Sequence, residues 1–362
     1  MYIVTNRKLD ESAKGLEIFG SVPSEKGPNE LRLVKASLSG TKYQTEILDE
    51  QLTEQEVIEL KQQYSLDINP ADTWYVSLKV ACEIMAEAQK QKKHVLFFVH
   101  GYNNDVQDIV KTALALEELY NVIVVPFTWP ANGGGAVTGT GSYLSDKQDA
   151  RASADALNRL VHKIHVYHGL LTETRSRQLW DKAIKKYPSN HEATRQYYVD
   201  LQNRDCKVSI NLMFHSMGNY LLKYALIPSD SAAAQLVFDN VSLIAADANN
   251  ERHEQWIQRL QVRHRVYVVI NENDFALKWS RRKPGEEQLA RLGHYLKNLI
   301  ANNAYYLDVT RAPKVKNEHS YFLGTPVLKN PALKKLFHDI FEGGTAEVAL
   351  EYRADINAYV LK

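Results

Sequence analysis

Short runs of consecutive apolar residues recur from Val95 onward: VLFFVHG, VIVVPFTWP, VSINLMFHS, VSLIAADA, VYVVI and AYYLDVT. Apolar residues on successive rather than alternate positions mark strands buried on both faces, as in a parallel sheet. Between most of them lie segments with helical periodicity, including VQDIVKTALALEELY and SDKQDARASADALNRLVHKI. Strand, helix and strand repeated in this order predict an α/β fold with a mostly parallel central sheet flanked by helices.

Four segments depart from the alternation. Residues 1–92 form an N-terminal extension with two β-like runs, LRLVKASL and YQTEIL, followed by helices. Thr53 and Glu56 have capping-box spacing, and a helix from Asp72 to Gln91 would put Trp74, Leu78, Ala81, Cys82 and Met85 on one side. The Gly-rich run ANGGGAVTGTGSY at 131–143 is expected to be a loop and lacks the spacing of a phosphate-binding fingerprint. Residues 167–205 are polar and helical, with Leu179, Trp180, Ile184 and Tyr187 at helical spacing. They read as a helical cap inserted before the strand VSINLMFHS, or as an excursion packed on the side of the domain. The tail, 326–362, contains the amphipathic helix ALKKLFHDIF and a final strand, and residues 1–362 read as one domain.

Composition narrows the class. With 44 basic and 43 acidic residues the net charge is +1, which gives no field suited to nucleic acid or an anionic membrane. Two cysteines, Cys82 and Cys206, read as reduced structural thiols. No apolar run approaches the roughly 18 residues of a spanning helix, and the N-terminus lacks the pattern of a signal peptide. The expected setting is cytoplasmic.

The candidate chemistry centres on Phe214-His215-Ser216-Met217-Gly218, where a buried strand ends at a serine and a helix begins at once. Such a turn holds a hydroxyl proud of the sheet, and Gly218 suits the close packing of helix and strand. Phe214 departs from the usual G-x-S-x-G, standing where the first glycine belongs; the bland alternative is that Ser216 only caps the helix. Upstream, His100-Gly101-Tyr102 ends another buried strand, so the amides of Tyr102 and Met217 are the candidate oxyanion donors. A serine hydroxyl needs a base, and the base needs an orienting carboxylate. In this strand–turn–helix class the acid and then the base follow the nucleophile along the chain. Asp274 lies just past the strand VYVVI and His319 in the loop after AYYLDVT, with Asp247 as the rival acid. His294 sits in the helix-like run LARLGHYLKNLI, His253 and His264 precede Asp274, and His338 is in the last helix. The run Lys278-Trp279-Ser280-Arg281-Arg282-Lys283 could favour an anionic substrate, but reads more simply as a solvated basic loop. No metal-ligand spacing is present and no cofactor is expected.

Taken together, YIVTNR, VLFFVHGYNN, VVPFTWPANG, FHSMGNYLL, LIAADAN, NENDFAL and EHSYF resemble a bacterial α/β-hydrolase family of unknown function, from the N-terminus to Phe322. The resemblance implies the α/β-hydrolase fold, with Ser216 as nucleophile, Asp274 as acid and His319 as base; residues 167–205 stand as an insertion relative to that pattern. The expectation is a serine hydrolase acting on a small-molecule acyl substrate, an ester in the plainest case. A non-catalytic scaffold that binds a ligand or protein partner is the alternative. A lipase working at lipid surfaces ranks lower, because the 167–205 segment is rich in Arg, Lys and Glu.

Overall fold

The computed structural model describes residues 1–131, 141–205, 207–227, 236–282 and 289–362. Most of the Gly-rich run, Cys206 and Lys283 thus lie outside the described residues. The chain groups into two compact units: Met1–Ile47, His94–His162 and Ser209–Lys362 form one, and Leu48–Lys93 with Lys163–Val208 form the other.

The elements follow in chain order. Strands β1 (Tyr2–Thr5), β2 (Arg7–Leu9), β3 (Phe19–Pro23), β4 (Arg32–Ser39) and β5 (Lys42–Ile47) precede helices α1 (Glu54–Tyr64) and α2 (Val76–Gln91). Next come β6 (His94–Val99), α3 (Val106–Leu119), β7 (Val122–Thr128), α4 (Gly141–Ala152), α5 (Ala154–Lys186) and α6 (His191–Arg204). The alternation resumes with β8 (Ile210–His215), α7 (Gly218–Leu226), β9 (Asn240–Ile244), α8 (Glu254–Ile257), β10 (Arg265–Ile270), α9 (Phe275–Ser280) and β11 (Ala304–Asp308). Helices α10 (Gly324–Leu328) and α11 (Pro331–Phe341) and strands β12 (Glu351–Arg353) and β13 (Ala358–Val360) complete the chain.

The large sheet has the order β12-β13-β11-β10-β9-β8-β6-β7-β1-β4-β5. Every pairing from β13 through to β1 is parallel, and antiparallel strands close both edges. This is the mostly parallel, helix-flanked sheet that the apolar runs predict. One face carries Leu96, Phe98, Val124, Met213, Tyr267, Val269 and Leu307, packed with Ile109, Ala113 and Leu116 of α3 and Leu333, Phe337 and Ile340 of α11. Tyr321 and Phe322, from the loop after β11, join the same cluster. At the other end, Ile3, Val34 and Ala36 pack with Phe19, Val106 and Val110. Residues 48–93 and 163–208 have their own core, in which Leu60, Leu78 and Cys82 meet Tyr167.

Several elements differ from the sequence reading, each for a physical reason. β1 was not expected, yet it pairs parallel with β7 and antiparallel with β4, because four residues suffice when both neighbours supply hydrogen bonds. α2 begins at Val76 rather than Asp72: Tyr75 is extended and bridged to Gln51, and Leu52 N–H donates to Trp74 O at 2.9 Å. The tail folds as the hairpin β12–β13 rather than one strand. The helix expected around His294 is a single 3₁₀ turn, Leu292–His294. There the amides of Leu292 and Gly293 donate to Ala248 O and Ala246 O instead of running along a helix. Gly293 permits this approach: a Cβ on it would stand 2.1 Å from Ala246 N and 2.5 Å from Ala245 C. Gly293→Ala should therefore lower stability by about 2–3 kcal/mol, measured as a fall in the urea midpoint at constant slope; an unchanged midpoint would contradict this packing.

Candidate active site

Ser216 follows β8 directly and has φ 53°, a left-handed backbone rarely adopted by residues other than glycine. The strain is held from three sides. Ser216 N–H donates to Ile244 O at 3.1 Å, and Ser216 O accepts from Asp247 N–H at 3.1 Å, so the turn is tied to the end of β9. The buried Asn219 side chain directs its Nδ2 to Phe214 O (3.2 Å), Ser216 O (3.1 Å) and Ile244 O (3.3 Å). Gly218 lets α7 start against β6, where a Cβ would lie 2.8 Å from both Val99 O and His100 O. Phe214, the departure from the glycine pattern, is fully buried within the strand.

The turn after β6 faces the serine. A Cβ on Gly101 would lie 2.6 Å from Ser216 Cβ and 3.1 Å from Ser216 Oγ, so no side chain fits there. His100 anchors this turn. Its Nδ1 donates to Gly101 O at 2.9 Å, Nε2 accepts from Trp129 N–H at 3.2 Å, and the ring stacks on the Trp129 indole at 5.1 Å. Tyr102 is half-buried, with its ring edge-on to Tyr143. Met217 stands at the N-terminus of α7, where backbone N–H groups have no intrahelical acceptor.

His319 and Asp274 are brought together: the imidazole Nδ1 donates to Asp274 Oδ2 at 2.7 Å. Asp274 is fully buried, and its other oxygen caps α9 by accepting from Leu277 N–H at 3.0 Å. The two loops are stitched by Asn271, whose Nδ2 donates to Lys316 O and Glu318 O at 3.1 Å each, and by Phe275 N–H donating to Asn317 O at 3.1 Å. Behind them Tyr321 OH donates to Val269 O at 3.0 Å, and Tyr120 OH to Phe322 O at 2.7 Å. His319 also reaches the serine turn. Its ring lies 4.6 Å from that of His215, whose Nε2 donates to His319 O at 3.3 Å.

Asp247, the rival acid, is committed elsewhere. Its Oδ1 pairs with Arg291 Nε at 3.1 Å and accepts from Ser280 Oγ at 2.5 Å, while Oδ2 accepts from Tyr143 OH at 3.0 Å. Arg291 also donates to Asn249. Ser280, read from sequence as part of a solvated basic loop, is therefore a buried member of this network. Asn219, Asn271, Tyr143 and Arg291 were not singled out by the sequence. Asparagine is commonplace in turns, and Arg291 lay inside an apparent helix.

Burial holds the His100 imidazole down at about 3, and the Arg7 charge adds to the effect. Burial first, and then His319, push His215 well below the ordinary histidine range. Both rings are thus neutral in the fold, whereas in the unfolded chain they take up protons near pH 6.5. The stability these neutral rings contribute is complete above about pH 6.5 and is lost as pH falls below it, toward about 3 for His100. The unfolding free energy from urea titrations should fall between pH 7 and pH 5, with a limiting slope of about 1.4 kcal/mol per pH unit for each ring; a flat profile would contradict neutral burial.

Among the described residues no group of three or more His, Cys, Asp or Glu stands together as metal ligands, and no helix is long and apolar enough to cross a membrane. No curated protein and no solved structure matches the chain. The family described as alpha/beta hydrolase of unknown function (DUF900) matches residues 79–170 and 178–335. That span holds the serine turn, the strand-end acids and the histidine loop on a mostly parallel, helix-flanked sheet, and the chain belongs to this alpha/beta-hydrolase family.

Proposed function

We propose that the protein is a serine hydrolase that cleaves carboxylic esters or related acyl bonds through an acyl-enzyme. The observation that carries the reading is the 2.7 Å hydrogen bond from His319 Nδ1 to the buried Asp274, on a loop whose imidazole packs against the residue preceding Ser216. With Nδ1–H held by the carboxylate, Nε2 is the ring nitrogen left to accept a proton. Ser216 Oγ attacks the substrate carbonyl as His319 Nε2 takes its proton, and Asp274 steadies the imidazolium that forms. The tetrahedral oxygen accepts hydrogen bonds from the amides of Tyr102 and Met217. His319 returns the proton to the leaving alcohol. Water, deprotonated by the same ring, then attacks the acyl carbonyl and frees the acid and Ser216.

The environments of the two strand-end acids favour Asp274 for this role. Both oxygens of Asp247 are engaged by Arg291, Ser280 and Tyr143, which suits a structural brace. A small-molecule substrate and a cytoplasmic setting belong to the same proposal.

A fluorophosphonate probe should label the wild type and not Ser216→Ala, whose turnover of p-nitrophenyl esters should fall by about 10⁴-fold or more, as should that of His319→Ala. Asp274→Asn should cost about 10²- to 10⁴-fold in kcat. Asp247→Asn should instead destabilise the fold by about 3 kcal/mol or more, by leaving Arg291 buried without its partner, with kcat per labelled site retained. Wild-type protein that resists the probe, or labelling that survives Ser216→Ala, would overturn the reading.

A further inference from the structure

The run YIVTNR at the N-terminus has no part in the proposed triad, yet its last residue is a buried cation. Arg7 is 3% exposed. A charge taken out of water needs compensating partners, and the partners identify what it holds. Arg7 Nε donates to Thr128 Oγ1 at 2.8 Å, and Nη1 donates to Gly20 O at 3.0 Å. Nη2 reaches Ala131 O at 3.1 Å and Asn104 O at 3.3 Å. One planar fork thus ties the end of β7, strand β3 and the turn after β6. Thr5 adds to the same clamp, donating from Oγ1 to Thr128 O at 3.0 Å and accepting from Arg7 N–H at 3.0 Å.

The turn that Arg7 grips contains the Tyr102 amide. Gly101 O is fixed by His100, and the Tyr102 N–H lies in the same rigid peptide plane, so the direction of that N–H is set with it. The following residues would otherwise be loose. Asn103 has φ 58°, a conformation that a side chain disfavours. Its N–H donates to the buried Asp146 Oδ2 at 3.2 Å, and Asn104 Nδ2 clasps Tyr102 O at 2.8 Å. Arg7 closes the brace by taking Asn104 O.

We infer that Arg7 is a positioning residue for the oxyanion-binding turn, holding the Tyr102 amide on Ser216 through Asn104; the inference rests on the serine-hydrolase reading. Arginine is needed because its fork spans acceptors on three segments, whereas a lysine ammonium is a point donor. A misplaced donor weakens only the interaction that matures in the transition state, so the loss falls on kcat.

The test compares wild type, Arg7→Lys and Thr128→Val, each with its active sites counted by fluorophosphonate titration. Expected in both variants is a fall in kcat per titrated site of about tenfold to a hundredfold, with KM within about twofold of wild type. Affinity for a trifluoromethyl ketone, which forms a tetrahedral oxyanion on the serine, should fall in proportion. Thr128 Oγ1 is the side-chain acceptor that fixes Arg7 Nε, so the near-isosteric Thr128→Val decides the matter should Arg7→Lys not fold. Variants that lose titratable sites while the remaining sites turn over at the wild-type rate would overturn the inference and make Arg7 purely structural. A wild type that takes no label would overturn the hydrolase reading and this inference with it.

Discussion

The left-handed backbone at Ser216 is the constraint on which the rest of the site depends. A non-glycine residue at φ 53° is held there only if its surroundings over-determine it, and here they do. β8 lies inside the parallel sheet, its end tied to β9 through Ile244 and Asp247 and backed by the Asn219 amide. Gly101 brings the neighbouring turn into contact with it, and Gly218 lets the following helix start against the end of β6. Each of these contacts is indifferent by itself. Together they lift one hydroxyl to the edge of the sheet where the crossover loops meet.

Two carboxylates occupy the ends of adjacent strands β9 and β10, and their fates diverge because of what each loop delivers. The segment after β11 brings an imidazole to Asp274, anchored from behind by Tyr321 and Phe322 in the core. The 3₁₀ turn at Leu292–His294, packed through Gly293 against Ala245 and Ala246 just past β9, brings the neighbouring Arg291 to Asp247. Asp274 is left to hydrogen-bond an imidazole, and Asp247 is locked into an ion pair with two hydroxyl donors. The division of labour follows from backbone packing rather than from anything peculiar to aspartate.

Much of this was legible in the sequence. Apolar runs on consecutive positions marked the parallel strands β6 to β11, and the strand-to-helix junction at His215-Ser216-Met217 stood out because apolar, polar and glycine positions change within five residues. The order of Ser216, Asp274 and His319 suggested partners that lie far apart in the chain. What stayed hidden depends on tertiary contact. β1 is too short to signal itself, and its place between β7 and β4 is set by neighbours remote in sequence. Residues 289–300 have helical periodicity, yet the amides of Leu292 and Gly293 find acceptors on Ala248 and Ala246. The grouping of 48–93 with 163–208 rests on apolar contacts that no local pattern encodes. Asn219 looks like an ordinary residue of a helix's first turn, and Asn271 like an ordinary loop residue, until their side-chain amides are seen bridging three carbonyls and two loops.

The central claim is that a covalent acyl group forms on one particular hydroxyl. Rapid mixing with p-nitrophenyl acetate, followed by acid quench and peptide mapping by mass spectrometry, tests it most directly. The account requires a burst of nitrophenol approaching one equivalent per chain, with the acetyl group on the peptide that contains Ser216. Steady release with no burst and no modified peptide, or an acetyl group mapped to another residue, would contradict it.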